Sequence, residues 1–463
     1  MNLDELASRL GPGTVSTDAR DLAAHARDWW PFQMLRERRG DTFDVPAAVV
    51  RPSYVEEVSE VLRWADETRT SVVPFGAGSG VCGGAQAIPG AITLDLRGLN
   101  RMSIDETAQT VTVGVGVMGG VLEAALRERG LTLGHFPQSI DISSVGGWLA
   151  VRSCGQKSSR YGRIEDMVIG LEVVLAGGKI VRTQKTPKSA AGPDLSRLFL
   201  GSEGTLGVIT EVTLACSKMP KIASHATYQF PGFAEGLEAC KRVIQGGLRP
   251  AVCRLLDPQD AFIAFRENTP GGAVLILRFE GDELAEAEEA AVRAVVEAAG
   301  GVDLGATLAE DWWVNRNHAV ETLTNVMFEG MLGPNAMVDT IEVAGLWPID
   351  ELYEGVRAAL MSVTPLVGCH ASHVYKQGSC LYFTFIYTDS PNDVVAEERY
   401  RVAWDEAMRA VRAAGGTISH HHGIGLLRAP WIAEELGEGM DVLRAMKQAL
   451  DPNGILNPGK MGL

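Results

Sequence analysis

Three consecutive histidines near the end of the chain, His420, His421 and His422, run directly into Gly423-Ile424-Gly425. Imidazoles titrate near neutral pH and bind metals, so such a run can supply a catalytic base or metal ligands. A histidine run can also be a polar surface turn. The flanking Gly-x-Gly and the apolar residues that follow favour a partly buried functional loop.

A glycine-rich loop is the second stretch with evident chemistry, with glycines at 76, 78, 80, 83 and 84. Its segment 78–83 spells GxGxxG, but a Rossmann site requires a helix that begins at these glycines. Here the sequence continues through Pro89-Gly90 into another strand, so we reject a Rossmann site. The main-chain N–H groups of the loop can instead bind a phosphate. A simple tight turn would need only one or two glycines.

A small, polar block, PQSIDISSVGGWLAVRSCGQKSSRYG, follows at 137–162, and a third glycine segment, GSEGTLGVIT, follows at 201–210. Such composition lets a large planar ligand lie against the backbone. We expect the main-chain amides of the first loop and the serine-rich block, two turns without a helix, to hold one diphosphate.

The elements around these loops predict an α/β start and a second sheet domain. Strand PAAVVRP, an amphipathic helix with Ser53 as N-cap and strand TSVVPFGAG open the first unit. Strands and long helices then alternate, as in an antiparallel sheet with helices on one face. The predicted divisions are a helical arm at 1–44, a first domain at 45–221, a cap at 222–425 and a returning segment at 426–463.

Composition excludes several classes of function. The net charge of −16, without a dense basic stripe, argues against a nucleic-acid binder. The seven cysteines lack any CxxC and indicate reduced thiols in a cytoplasmic protein. No secretion signal or membrane-spanning run is visible. Trp29-Trp30 could touch a membrane, but packing of the arm on the body is favoured.

Five motifs in order resemble the flavoenzymes of the vanillyl-alcohol oxidase type: 74–79, 143–147, 161–166, 201–207 and 451–459. The resemblance implies an α+β fold, with a two-lobed PCMH-type FAD-binding domain and a ferredoxin-like α+β cap over the isoalloxazine. Some members tether the flavin through a histidine in the glycine loop. Residues 76–84 contain no His, so we expect noncovalent FAD.

The resemblance also implies a set of cofactor-binding residues. They are Pro74, Gly76, Ala77, Gly78, Ser79, Gly80, Pro137, Ser139, Ser143, Ser144, Gly146, Gly147, Ala150, Ser153, Gly155, Tyr161, Gly162, Glu203, Gly204, Gly207, Val208 and Ile209.

Two subgroups of this superfamily differ in the cap. The hydroxy-acid dehydrogenases carry a metal-binding His, His and Glu, whose counterparts here are Tyr375, Tyr382 and His421. Neutral tyrosine is a poor ligand for a dication, so we predict no metal. An unconventional metal cluster that includes His370 and His373 is the minor alternative.

The chain is more similar to the alkyldihydroxyacetonephosphate synthase subgroup, through His420 to Arg428, Trp431 and the segment CLYFTF at 380–385. The resemblance implies a flavin N5 adduct, loss of a fatty acid and entry of a fatty alcohol, without net redox change. Tyr382 would be the acid/base, and His421, within the triplet, would activate the alcohol.

Arg254 would be a structural or substrate-orienting cation, although pairing with Asp257 is the plain alternative. A further arginine of the subgroup is absent, because Phe328 stands at its position and 319–338 contain no Arg or Lys. This departure weakens the prediction of a phosphorylated substrate.

We therefore predict an FAD-dependent synthase-like enzyme of ether-lipid synthesis. The alternative is an FAD-linked oxidoreductase of a 2-hydroxy acid or alcohol, such as D-lactate or glycolate. A flavin-free binding protein is a third class that the glycine and serine density disfavours. A cytoplasmic homodimer acting on a small or lipid-like substrate is expected, with peripheral membrane contact left open and no nucleic-acid partner.

Overall fold

The computed structural model describes residues 2–463, apart from the side chains of 267, 319 and 320. The fold is α+β. The helices are α1 (Leu3–Arg9), α2 (Ala19–Ala24), α3 (Pro31–Arg39), α4 (Val55–Thr68), α5 (Gly119–Arg127), α6 (Val145–Val151), α7 (Ser158–Tyr161), α8 (Ile164–Met167), α9 (Ser196–Phe199), α10 (Phe233–Gln245), α11 (Pro258–Phe265), α12 (Ala285–Ala298), α13 (Thr307–Asn315), α14 (Ala319–Met327), α15 (Asp350–Met361), α16 (Asp393–Ala413), α17 (Ala429–Leu436) and α18 (Gly439–Leu450). Short 3₁₀ turns lie at Leu96–Gly98, Arg266–Asn268 and Lys460–Gly462.

The first sheet has the order β1-β2-β4-β3, with β2, β4 and β3 parallel and β1 antiparallel at the edge. Its strands are β1 (Val15–Ser16), β2 (Ala48–Val50), β3 (Val72–Phe75) and β4 (Ile92–Asp95). The predicted strand–helix–strand start is present as β2, α4 and β3. The N-cap of α4 is Tyr54 rather than the predicted Ser53, whose main-chain N–H is bound by Glu57.

The second sheet is antiparallel, in the order β5-β6-β10-β8-β9, and shares one core with the first. Its strands are β5 (Met102–Asp105), β6 (Thr110–Gly114), β8 (Val168–Val174), β9 (Ile180–Arg182) and β10 (Val208–Ala215). A short ribbon pairs β7 (Leu131–Thr132) with β11 (Ser217–Lys218). Residues of both sheets, such as Val72 and Val212, are fully or almost fully buried in this shared core.

The third large sheet is antiparallel, with the order β15-β12-β14-β13-β17-β18-β16. Its strands are β12 (Ile222–Phe230), β13 (Val252–Leu256), β14 (Ala273–Gly281), β15 (Val302–Asp303), β16 (Met337–Leu346), β17 (Leu366–Val374) and β18 (Gly378–Tyr387). On β13, β16 and β18 the odd-numbered residues, such as Leu255 and Phe383, join helices α10, α12, α15 and α16 in one core. Because side chains alternate along a strand, the even-numbered positions of these three strands face the other way.

The arm and the C-terminal tail both pack onto the glycine loop and its strand. Trp30 is 8% exposed and its indole donates to Tyr400 Oη at 2.9 Å. The membrane alternative for this residue is therefore wrong, and arm packing is confirmed. Leu456 bridges Val72 of β3, so the tail returns to the first sheet. Among residues 2–463, no helix is long and apolar enough to cross a membrane.

Candidate active site

A cavity of about 710 Å³ lies between the two-sheet body and the seven-stranded sheet. Its floor is formed by the glycine loop, the serine-rich block and the turn at Glu203-Gly204. Its roof is formed by β13, β16, β17 and β18 and by the histidine triplet. The two predicted loops and the predicted cap residues therefore open onto one shared cleft.

The glycines of the floor are packed so closely that they leave no room for a larger side chain. A Cβ on Gly76 would lie 2.4 Å from Ser144 Oγ, and one on Gly204 would lie 2.8 Å from Pro74 Cγ. Within the part of the chain that the structure describes, the main-chain N–H groups of residues 77–80 donate to no protein acceptor. These free donors are what an anionic diphosphate requires, so the floor fits FAD.

The serine-rich block departs from the prediction of a turn without a helix. Ser144 is the N-cap of the seven-residue helix α6, and its hydroxyl accepts from the Gly147 main-chain N–H at 3.3 Å. The expectation of two helix-free turns is correct for the first loop and wrong for the second. A short N-cap signal, Ser144 before an apolar run, was present in the sequence.

Most of the predicted cofactor-binding residues line the cavity: Pro74, Gly76, Ala77, Gly78, Ser79, Gly80, Pro137, Ser139, Ser143, Ser144, Gly146, Gly147, Ala150, Ser153, Glu203, Gly204, Gly207, Val208 and Ile209. Gly155, Tyr161 and Gly162 do not. A Cβ on Gly155 would press on the Phe136 main chain at 2.5 Å, so that glycine serves packing. Tyr161 donates to Glu280 at 3.1 Å, and Gly162 takes a positive φ of 84°.

The roof takes pairs of alternate residues from four neighbouring strands. The pairs that line the cavity are Arg254 and Leu256, Val338 and Thr340, His370 and Ser372, and Tyr382 and Thr384. His373 also lines it, although it is three residues from His370 and would point away on a regular strand. The register of β17 against β18 shifts between Ala371 and Val374, and this irregularity turns His373 inward.

Tyr382 lies between two imidazoles at the centre of this roof. Its ring stacks on His370 at a centroid distance of 4.6 Å and on His421 at 5.9 Å. The hydroxyl donates to Thr340 Oγ1 at 3.1 Å rather than to an imidazole. Burial raises the pKa of the Tyr382 hydroxyl above its ordinary value, so this group keeps its proton at neutral pH.

A buried ion pair fixes the histidine turn. Glu342 accepts from the main-chain N–H groups of His421 at 3.0 Å and His422 at 2.7 Å. Its carboxylate pairs with Arg428, and both side chains are 0% exposed. Although burial raises the pKa of Glu342, the nearby Arg428 guanidinium brings it down to about 2. The carboxylate is therefore charged and holds the turn at all ordinary pH values.

The three imidazoles have different surroundings. His421 and His422 line the cavity, whereas His420 lies behind them and is 8% exposed. His420 Nδ1 is 2.9 Å from His421 Nδ1, and His420 Nε2 is 2.9 Å from Tyr375 Oη. Burial lowers the pKa of His420 to about 3 and, with the neighbouring imidazoles, lowers the pKa of His421 well below its ordinary value. Both rings are thus neutral.

Arg254 does not pair with Asp257, the partner that the sequence suggested. Its guanidinium lies 3.0 Å from His370 Nδ1, and that same nitrogen is 3.0 Å from Asp260 Oδ2. Asp257 instead caps α11 and accepts from Tyr353. Among the described residues, the buried Arg254 Nε has no hydrogen-bond partner.

A second cavity-lining arginine, Arg316, was missed by sequence reasoning. It follows helix α13, and its guanidinium carbon lies 3.6 Å from the centre of the Trp313 ring. Its buried Nε also has no hydrogen-bond partner in the described structure, and burial lowers the pKa of Arg316 to about 10. Phe328, the predicted site of the missing cation, is 38% exposed and does not line the cavity. No local signal distinguishes Arg316 from a surface arginine.

Two buried acids, Glu203 and Asp28, lie beside the floor. The sequence predicted Glu203 as a cofactor-binding residue but did not indicate Asp28. Glu203 accepts from the main-chain N–H groups of Ile424 at 2.6 Å and Gly425 at 2.8 Å, and burial raises the pKa of Glu203 to about 7. Asp28, from the arm, lines the cavity beside Gly80, and burial raises the pKa of Asp28 to about 6. The arm therefore belongs to the site.

Comparison with known families matches both halves of the molecule. Residues 46–184 match the model of an FAD binding domain, and residues 219–461 match that of the C-terminal domain of FAD linked oxidases. The second match alone covers more than half of the chain. The arm that carries Asp28 lies outside both matches.

Curated relatives span several activities. An uncharacterized FAD-linked oxidoreductase, YgcU of Escherichia coli K12, is 33% identical over 99% of this chain and 97% of its own. Alkyldihydroxyacetonephosphate synthase of Trypanosoma brucei brucei is 30% identical over 99% of this chain and 80% of its own. Glycolate oxidase subunit GlcD of Bacillus subtilis is 31% identical over 90% of this chain and 89% of its own.

Solved structures share the fold. An alkyldihydroxyacetonephosphate synthase superposes with a TM-score of 0.82 at 24% identity, over 98% of this chain and 84% of that one. A p-cresol methylhydroxylase superposes with a TM-score of 0.79 at 18% identity, over 100% of this chain and 96% of that one. At these identities the likeness concerns the fold alone.

Proposed function

The chain belongs to the FAD-linked oxidase family and is an FAD-dependent enzyme, and we propose that it exchanges an acyl group for a fatty alcohol on dihydroxyacetone phosphate. This reaction is that of the alkyldihydroxyacetonephosphate synthases, to one of which the chain is 30% identical. It has no net redox change, because one oxygen-linked chain replaces another at the same carbon.

FAD, when bound, supplies a reactive ring system able to accept electron density from the substrate carbon. The residues that would hold it are those of the floor, with the free amides at 77–80 facing its diphosphate and Ser144 and Gly147 ordering the second turn. We propose that the cofactor is noncovalent. Acid precipitation of the protein should then release all of the yellow colour into the supernatant.

The roof supplies proton transfer. Neutral His421 is suited to accept the proton of the incoming alcohol, since burial and its neighbours lower its pKa and keep the ring unprotonated at neutral pH. Protonated Tyr382, stacked beside it, is suited to donate to the departing carboxylate. Transfer of the proton from His421 to the Tyr382 oxygen then restores both groups, so that the net result is one proton moved from the alcohol to the fatty acid. His420 and His422 keep His421 in place.

Two cavity-lining arginines, each with an unpaired Nε, support an anionic substrate. Arg254 contacts His370 and Arg316 donates to the Trp313 carbonyl, but the buried Nε atom of each has no hydrogen-bond partner among the described residues. Buried donors are rarely left unpaired, and charge-assisted bonds to phosphate are strong. Arg316 thus offers a cation in the cavity, where Phe328 does not, and this supports the proposal of a phosphorylated substrate.

The observation that carries the proposal is the placement of Tyr382 between His370 and His421 above the FAD floor. The test is incubation of the FAD-loaded enzyme with acyl-dihydroxyacetone phosphate and a fatty alcohol under anaerobic conditions. Ether product with release of one fatty acid is expected, without lasting bleaching of the flavin band. Absence of ether product with a full range of chain lengths would refute it.

A second candidate is oxidation of a hydroxy acid or alcohol, which the 31% identity to a glycolate oxidase subunit favours. In this reaction His370, beside Arg254, would remove the proton of the substrate hydroxyl while the Arg254 guanidinium holds the substrate carboxylate. In that case an anaerobic hydroxy acid would bleach the flavin band. The same absorbance measurement therefore separates the two reactions.

We further propose that the enzyme is a cytoplasmic homodimer, in which peripheral membrane contact would suit a lipid-like substrate. Sedimentation of the purified enzyme should give twice the chain mass.

We propose that the chain divides into the arm (1–44), the FAD-binding domain (45–221), the cap (222–425) and the returning segment (426–463). Limited proteolysis should first cleave near the boundaries between these parts.

A further inference from the structure

A cluster of soft and borderline metal ligands lies where the body meets the cap, and the proposed reaction uses only one member of it, His420, to position His421. Cys154 comes from the body, just after α6, and His373 and His420 come from the cap. All three are buried, and one donor atom from each lies within 4.8 Å of the other two. Their exposed fractions are 5%, 4% and 8%.

The spacing of these groups agrees with a tetrahedral ion. Cys154 Sγ lies 3.2 Å from His373 Nδ1, and the ring centroids of His373 and His420 are 5.2 Å apart. With Zn–S and Zn–N bonds of about 2.3 and 2.05 Å, sulfur and nitrogen ligands are separated by roughly 3.5 Å and imidazole centroids by roughly 5.2 Å. The two observed separations, 3.2 and 5.2 Å, fall near these values.

The surrounding hydrogen bonds also suit a metal centre. Ser158 Oγ lies 2.7 Å from His373 Nδ1, so a hydroxyl and a thiol both approach one nitrogen that has a single lone pair. On the other side, His420 Nδ1 lies 2.9 Å from His421 Nδ1. Metal-bound histidines regularly form a hydrogen bond through their second ring nitrogen, as His420 does here with His421.

We propose that Cys154, His373 and His420 bind one Zn²⁺ ion, which joins the FAD-binding body to the cap. Cys154 ligates as the thiolate, His373 through Nδ1 and His420 through Nε2. The fourth position is open to Ser158 Oγ or water.

This donor set shares no residue with Tyr375, Tyr382 and His421, at which the hydroxy-acid dehydrogenase pattern fails. It therefore departs from the expectation of no metal, which rested on those positions. Binding of the ion is measured without substrate, so failure of this proposal is distinguishable from failure of the proposed reaction. Ion binding would stabilise the closed contact between body and cap by mass action on the folded state.

The test is titration of the FAD-loaded enzyme, cleared of adventitious metal by a chelator, with Zn²⁺ in competition with a coloured chelator. One Zn²⁺ per chain is expected, with release of about one proton from the thiol. Co²⁺ in its place should give d–d bands to the red of the flavin absorption together with a thiolate charge-transfer band. Sub-stoichiometric Zn²⁺ binding by the unmodified enzyme would overturn the proposal.

Variants add a structural control. Cys154→Ala should lose the Zn²⁺ and the thiolate band and should no longer show a rise in Tm on Zn²⁺ addition. Cys216→Ala, which removes a half-buried thiol elsewhere in the body, should bind Zn²⁺ as the unmodified enzyme does. Equal Zn²⁺ affinity in the two variants would refute the assignment. If Cys154→Ala fails to fold, the Co²⁺ spectrum of the unmodified enzyme decides alone.

Discussion

The floor and the roof of the cavity are built by opposite means. The floor offers main-chain amides and small residues, and its chemistry depends on how closely other groups approach the glycine backbone, as the Ser144 hydroxyl approaches Gly76. The roof offers side chains, Tyr382 and His421 above all, and a buried ion pair holds the turn that carries His421. A backbone site is specific for shape and charge of a cofactor, whereas a side-chain site can be altered to change the reaction.

The largest effect should come from breaking the ion pair that holds the roof. Arg428→Met leaves Glu342 buried and unpaired, which should cost about 3–5 kcal/mol of unfolding free energy. Chemical denaturation of the FAD-loaded enzyme measures it. Arg409→Met, in an exposed pair with Glu406, should cost under about 1 kcal/mol. Equal losses in the two variants would show that the pair does not stabilise the fold.

The next largest effect should be a loss of turnover in variants of the roof that leave FAD binding to the floor unchanged. Tyr382→Phe and His421→Ala should each lower ether-product turnover about a hundredfold or more, because each removes a proton-transfer group. FAD absorbance should stay unchanged, since neither side chain contributes to the floor. Wild-type turnover in either variant would remove that residue from the mechanism. Loss of FAD from either variant would show that the roof side chain also contributes to cofactor binding.

The converse change strikes the floor and leaves the roof intact. Gly76→Ala places a methyl 2.4 Å from Ser144 Oγ, and overpacking of this kind typically costs about 1–3 kcal/mol. The dissociation constant for FAD should rise about tenfold or more, as titration of the apoprotein would show. Gly177→Ala, where nothing lies within 4 Å of the added methyl, is the matched control and should bind FAD normally.

A smaller effect tests the anion site in the roof. Arg316→Gln should raise KM for the phosphorylated substrate about tenfold, with kcat changed much less, because it removes charge-assisted binding rather than proton transfer. Arg242→Gln, on the outer helix α10, is the neutral control. A fall in kcat at constant KM would instead place Arg316 at the reacting atoms.

The smallest effect is a difference in pH dependence. Burial lowers the pKa of His421 well below its ordinary value, so the unprotonated ring persists in mild acid. The midpoint of the acidic limb of the kcat/KM profile should therefore lie below about pH 6.5. Burial raises the pKa of Glu203 to about 7, so this acid of the floor gains charge as pH rises through 7. FAD affinity should then weaken roughly threefold between pH 6 and 8.

Glu203→Gln sharpens the comparison, because it should flatten the pH dependence of FAD affinity without moving the acidic limb of kcat/KM. Fluorescence titration with FAD and steady-state kinetics at each pH give the two curves. If the variant shifts the kinetic limb and leaves the FAD curve unchanged, the assignments of the two groups are reversed.

Much of the fold was predictable because its signals are local. The strand–helix–strand start, the helix-free glycine loop between β3 and β4, and the alternation of strands and helices after residue 222 all appear as short sequence patterns. The errors were local competitions between similar signals. Tyr54 rather than Ser53 is the N-cap of α4. Ser144 is the N-cap of the short helix α6, which was not predicted because two of its first residues are glycines.

The sequence by itself determined the floor, since a turn that must bring amides close to an anion needs glycines within a few adjacent positions. It also pointed to Tyr382 and the histidine triplet as candidate functional residues. Only the tertiary structure decided what surrounds them: the irregularity in β17 that turns His373 inward, the pairing of Glu342 with Arg428, and the approach of Arg316. These depend on contacts between residues far apart in the chain, which no short pattern encodes.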